Sequence, residues 1–142
     1  MEENINALDE IHKGACMGMD AISFVLDKVE DDYLKKVLKK EYDEYQKITG
    51  KIEKIYPNYN DGNPHETGKI TKAMTWYGIE MKTLTDKSNS KIAELLLQGF
   101  NMGIIEGKRI LNQKKINKEV ADIIEKYVEM QEKDVETLKS FL

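Results

Sequence analysis

The sequence is poor in several residue types, and each shortage argues against a class of protein. Cys16 is the only cysteine among 142 residues, which excludes an internal disulfide and a cysteine cage for a metal. The longest apolar runs, such as residues 95–97, are far too short for a bilayer span. The N-terminal residues also lack the charged and apolar regions of a secretion signal, so we expect a soluble cytoplasmic protein.

Basic charge is not in excess either, with 22 basic against 26 acidic residues interspersed along the chain. A nucleic-acid-binding surface needs a basic patch, so we expect no nucleic-acid partner and, equally, no membrane partner. Only two histidines, His12 and His65, are present, which leaves few groups for acid-base catalysis near neutral pH.

The residues that are abundant favour helix. Two prolines and many Lys, Glu, Leu, Ile and Met residues are typical of an all-helical protein. Apolar residues recur at steps of three and four, the period of a helix with one buried face. In the first two segments the inward positions are Ile5, Leu8, His12, Ala15, Met19, Ile22, Leu26 and Val29, then Leu34, Leu38, Glu41, Tyr45, Ile48, Ile52 and Ile55.

Turn and capping residues separate five such segments. An acidic turn at 30–32 joins the first two in a hairpin, and an Asn-rich connection follows at 57–63. Asn63, Pro64 and Glu66 predict the start of a third helix, and Asn117 is expected to cap the fifth. We therefore predict an all-α, up-and-down helical bundle of four to five helices, forming a single domain over 1–142.

Polar side chains at inward positions are the candidates for a metal site. Ferritin-like di-iron centres use a Glu from two helices and a Glu-x-x-His motif from two others. Here His12 lies about 15 Å further along the bundle axis than Glu41, at 1.5 Å per residue, so the two cannot share a metal. The weak metal candidates are His12, Asp20, Glu41, Glu44 and Glu106. We expect no bound cofactor, and we expect Glu41 to pair with a tyrosine, a lysine or water.

Gly99, Gly103 and Gly107 form a row on one face of the fourth helix. Each glycine costs roughly 1 kcal/mol relative to alanine in a helix, so the row needs a reason. Close packing within the bundle, a homodimer contact and a groove for a flat ligand are the three hypotheses. In the third, these glycines are the candidate cofactor-binding residues.

The order of segments resembles a known family. A helical hairpin, then Thr67-Gly68, Trp76, Glu80-Met81-Lys82 and Leu84-Thr85, then a helix with Gly99, is similar to bacterial ferritin-like bundles of unknown function. The resemblance implies a ferritin-like fold. Relatives with a metal centre carry inward carboxylates around Gly99, where this chain has Gln98, Phe100 and Met102, so the resemblance implies a lost di-metal site.

Three functional hypotheses follow. The first is a non-enzymatic ferritin-like bundle, a homodimer or larger oligomer, that acts through binding or structural association with a protein or small molecule. The second is a metal-binding protein with a reduced carboxylate and histidine site. The third is a small-molecule carrier that uses the glycine row.

Overall fold

The computed structural model describes residues 2–64, 72–113 and 115–142. The described helices are α1 (Glu2–Leu26), α2 (Asp32–Ile55), a 3₁₀ turn (Tyr56–Asn58), α3 (Lys72–Lys82), α4 (Asn89–Gln113) and α5 (Lys118–Lys139). The prediction of an all-α helical bundle is confirmed. Of the residues that predict the start of the third helix, Asn63 and Pro64 are not helical, and Glu66 lies outside the described residues, as does the Thr67-Gly68 pair.

Four long helices form the bundle. The neighbouring pairs around it are α1 with α2, α2 with α5, α5 with α4, and α4 with α1, while α3 packs on α1 and α4. Asn4 near the start of α1 contacts Asn117 before α5. Tyr33 at the start of α2 meets Phe141 after α5, with ring centroids 5.6 Å apart. Thus α1 and α5 run in one direction, α2 and α4 run in the other, and one long crossover joins α2 to α4.

The core follows the predicted helical faces closely in α2. Leu34, Leu38, Tyr45, Ile48 and Ile52 are all buried, because steps of three and four keep them on one side of the helix. In α3, Tyr77 and Met81 are buried, and Leu84 beyond its end is buried as well. Among the described residues, none of the helices combines the length and apolar content needed to cross a membrane.

Helix starts are capped in two different ways. Asp31 caps α2 with its own side chain, which accepts a hydrogen bond of 2.8 Å from the Leu34 amide. Asn117 occupies the N-cap position of α5, as predicted, but its side chain makes no capping hydrogen bond and instead donates to the Tyr59 hydroxyl at 3.2 Å. The backbone amide of Asn117 donates to Oδ1 of Asn4 at 2.8 Å, so a side chain from α1 secures the start of α5.

This contact predicts a measurable cost for Asn4→Ala. Asn4 is buried, and its removal leaves the Asn117 amide without its acceptor. We expect the free energy of unfolding to fall by about 1–2 kcal/mol, measured by urea denaturation. Asn101→Ala on the exposed face of α4 is the control, since there alanine only improves helix propensity. Equal stability changes in the two variants would contradict the role of Asn4.

Candidate functional site

A groove runs between α2 and α5 towards the end of the bundle that carries Tyr33 and Phe141. Its volume is about 760 Å³. The spacing of its α2 residues follows one helical face, and α5 provides the opposite wall. The lining residues are Tyr33, Lys36, Val37, Lys40, Glu41 and Glu44 from α2, and Glu132, Lys133, Asp134, Glu136 and Thr137 from α5.

Two buried carboxyl groups form the floor of this groove. Glu41 is 2% exposed and Asp134 is 6% exposed. Both oxygens of Glu41 and Oδ2 of Asp134 lack a hydrogen-bond partner among the residues that the structure describes. Of the three partners expected for Glu41, tyrosine and lysine are therefore wrong within these residues, and pairing with water stays a prediction. Buried polar atoms are nearly always hydrogen-bonded, so three orphaned oxygens in one place are unusual.

Burial and crowding of negative charge raise the pKa of both floor groups. The pKa of Glu41 rises to about 9, through burial first and then through the charges of Asp134 and Glu44, opposed by Lys40. The pKa of Asp134 rises to about 7, through burial, the charge of Glu44 and a hydrogen bond with Glu44, again opposed by Lys40. At neutral pH Glu41 is therefore protonated, and the floor exchanges protons in the physiological range.

Buried polar side chains lie next to the groove floor on α2 and α5. Tyr45, one turn after Glu41, donates a hydrogen bond of 3.1 Å to Oε1 of Gln131, and the Gln131 amide donates to the Tyr127 carbonyl at 3.3 Å. The Tyr45 ring packs 5.5 Å from the ring of Phe100. These contacts hold the helices that carry Glu41 and Asp134 at a set spacing.

The structure brings together only some of the sequence-predicted metal candidates. Glu41 and Glu44 meet Asp134, as described above. His12 is buried, and its Nε2 lies 3.0 Å from Oε1 of Glu53, while its Nδ1 lies 3.8 Å from Sγ of Cys16. Because these partners face opposite ring nitrogens, they do not converge on one point.

The other candidates lie elsewhere. Asp20 is exposed on α1, and Glu106 is half-buried on α4. The pKa of Tyr127 is raised, through burial first and to a smaller extent through the charge of Glu106. His65 lies outside the described residues. Within the described ranges, no group of three or more His, Cys, Asp and Glu residues is arranged to hold a metal ion.

The glycine row is covered by side chains of this same chain. A methyl group added at Gly99 would lie 2.7 Å from the Tyr77 hydroxyl, one at Gly103 would collide with the Gln131 amide, and one at Gly107 would collide with Val128. The space that a flat ligand would need over these glycines is therefore filled. The contacts agree with close packing within the bundle as the reason for the row.

Asp134 is the site residue that sequence reasoning missed. The pattern of the fifth segment predicts an inward face that does not include Asp134: Val120, Ile124, Val128, Gln131, Val135 and Leu138. The signal was present in the spacing, since Asp134 follows the buried Tyr127 by seven residues and Val120 by fourteen, two steps of a heptad. A charged residue on such a stripe is a candidate for a buried functional group.

Comparison with known proteins adds information on the fold. No protein-family model and no curated protein matches the sequence. Among solved structures, the chain resembles CopM in the Cu(II)-bound form, with a TM-score of 0.78 and 9% sequence identity over 96% of this chain and 93% of that one. At this identity the likeness shows a shared helical-bundle fold.

Proposed function

We propose that this chain is a non-enzymatic, ferritin-like binding protein that holds a small organic molecule in the groove between α2 and α5. The observation that carries the proposal is Glu41, which is almost completely buried, faces the groove and has two oxygens without a partner among the described residues. Such a group destabilises the empty protein by about 1–3 kcal/mol, and a ligand that donates hydrogen bonds offsets this cost.

The size and lining of the groove support a molecule rather than a bare ion. Small-molecule sites usually measure roughly 300–1,000 Å³ and combine apolar walls with a few polar groups at depth. At about 760 Å³, with Val37 and the Tyr33 ring beside the acidic floor, the groove fits this description. The ligand site therefore differs from the glycine row that the sequence suggested.

The arrangement of the helices supports the ferritin-like part of the proposal. Ferritin-like bundles join two helical hairpins by one long crossover, and here the segment between α2 and α4 makes such a connection. Association into a homodimer belongs to the same proposal, and sedimentation of the purified chain tests it.

Metal binding is the second candidate function. The bundle shares its fold with CopM, whose structure is described in a Cu(II)-bound form, and Glu41, Glu44 and Asp134 offer oxygen donors. Cu(II) prefers nitrogen and oxygen ligands in a square arrangement, whereas the histidine among the described residues, His12, pairs with Glu53 instead.

Methyl NMR of the whole chain separates the two candidates. The methyl groups of Val37 and Thr137 line the groove, and those of Val120 at the start of α5 serve as the internal reference. The probes are butylamine, butyrate, butanol, Ca²⁺, Zn²⁺ and Cu²⁺. We expect at least one organic probe to shift Val37 and Thr137 but not Val120. Shifts of the groove signals by metal ions alone, or by no probe, would overturn the proposal.

A further inference from the structure

We propose that the groove binds a primary alkylamine, with its ammonium group held by Glu41 and Asp134. This inference rests on the proposed binding function and names the class of its ligand. It starts from the geometry of the floor, where the orphaned atoms are all carboxyl oxygens on two facing helices.

The number of missing hydrogen bonds matches the chemistry of an ammonium group. Three floor oxygens, two on Glu41 and one on Asp134, lack donors among the described residues. A primary ammonium has three N–H donors and no acceptor, so one such group can satisfy all three oxygens. A hydroxyl offers one donor, a quaternary ammonium offers none, and a carboxylate would meet like charge.

The charges around the floor favour a cation. Five carboxyl groups and three lysines line the groove. The lysines Lys36, Lys40 and Lys133 are exposed, whereas Glu41 and Asp134 are buried. An ion pair is strongest where water is excluded, so the deep carboxyls dominate recognition and the lysines act at the rim.

The residues at the rim of the groove favour a ligand that has a single amino group and an alkyl tail. Glu136 already pairs with Lys139 at 2.9 Å, and Glu132 lies 3.9 Å from Lys108. A second ammonium group on the ligand would have to compete with these lysines for partners. The tail instead finds Val37 and the ring of Tyr33 along the groove walls.

Because Glu41 carries a proton at neutral pH, we expect the affinity for the ligand to depend on pH. In the empty protein the pKa of Glu41 is raised to about 9 by burial and by the charges of Asp134 and Glu44, with Lys40 opposing; Lys133 and Glu132 face the groove from α5. A bound ammonium replaces the proton as the counter-charge of Glu41. Binding therefore releases a proton, and affinity rises as the pH increases from 6 towards 9.

The test compares two butyl cations of equal charge, one with three N–H donors and the other with three N-methyl groups in their place. Dissociation constants of n-butylamine and n-butyltrimethylammonium are measured at pH 8 from the Val37 and Thr137 methyl shifts. We expect the primary amine to bind at least about tenfold more tightly, a difference of roughly 1.4 kcal/mol. Glu41→Gln and Asp134→Asn should each remove most of this difference, while Glu129→Gln on the exposed face of α5 should keep it.

The possible outcomes distinguish this inference from the function on which it rests. Equal affinities for the two cations, or affinity for the amine that falls as pH rises from 6 to 9, overturn the primary-amine assignment. Shifts of the same methyl groups by butanol or butyrate but not by the amine overturn it too, while the binding function stands. Groove signals that respond to none of the organic probes overturn both.

Discussion

Glu41→Gln should be more stable than the parent chain at pH 8, and the gain should shrink towards pH 5. In the folded protein the pKa of Glu41 is raised from 4.5 to about 9. The folded state therefore keeps a proton that the unfolded state has lost, and stability falls as the pH rises between these two values. The slope is roughly 1.4 kcal/mol for each pH unit, because one pKa unit corresponds to that energy.

Glutamine removes this dependence because it does not titrate and keeps the shape of a protonated glutamate. Relative to the parent, we expect the unfolding free energy of Glu41→Gln to increase by about 4 kcal/mol more at pH 8 than at pH 5. Urea denaturation across the pH range measures the difference curve. Glu129→Gln, on the exposed face of α5, should give a nearly flat curve.

Two further variants sharpen the result. Asp134→Asn should show the same trend over a shorter range, levelling off near pH 7, because the pKa of Asp134 rises only to about 7. Glu41→Leu should match or exceed the parent in stability, since a well-packed apolar residue often replaces a buried polar group without cost. A loss of several kcal/mol in Glu41→Leu would mean that Glu41 has an essential buried partner.

A stability gain on removing Glu41 would bear directly on function. Binding sites often contain residues that lower the stability of the fold because those residues serve a ligand instead. Within the part of the chain that the structure describes, Glu41 breaks the rule that buried polar atoms are satisfied, at a position where leucine would suit the helix face. If the amine probe raises the unfolding free energy of the parent chain by as much as Glu41 lowers it, then Glu41 accounts both for the lower stability and for ligand binding.

The parts of the fold that depend on one helix at a time could be read from the sequence. The buried face of α2, from Leu34 to Ile52, follows the period of three and four. Features that depend on two helices could not. The start of α5 is secured by Asn4, a residue distant in sequence, and neither capping statistics nor spacing indicates that contact.

The candidate site shows the same difference between features set by one helix and features that depend on two. Glu41 and Glu44 were identifiable because they occupy or flank an inward position of α2. Their partner Asp134 and the groove depend on how α2 faces α5, which follows from the order of helices around the bundle. That order is set by packing between helices, such as the contact of Gln131 with Gly103, and single-helix patterns do not contain it.

Gly103→Ala should destabilise the protein although alanine is the better helix former. The new methyl group would collide with the Gln131 amide, which accepts the Tyr45 hydrogen bond. Moving that amide breaks a buried hydrogen bond and strains the contact between α4 and α5. We expect the unfolding free energy to fall by about 1–3 kcal/mol, and Gly103→Leu to cost more because its larger side chain adds overpacking.

Gly50→Ala is the matched control for this effect. Gly50 lies on the exposed face of α2, where an added methyl group meets nothing within 4 Å. There alanine should raise the unfolding free energy by about 0.5–1 kcal/mol through helix propensity alone. Opposite signs for the two variants show that packing against Gln131, and not glycine in a helix as such, explains the row. A gain in both variants, with unchanged oligomeric state, would mean that Gly103 faces open space and that the packing of α4 on α5 differs from the one described.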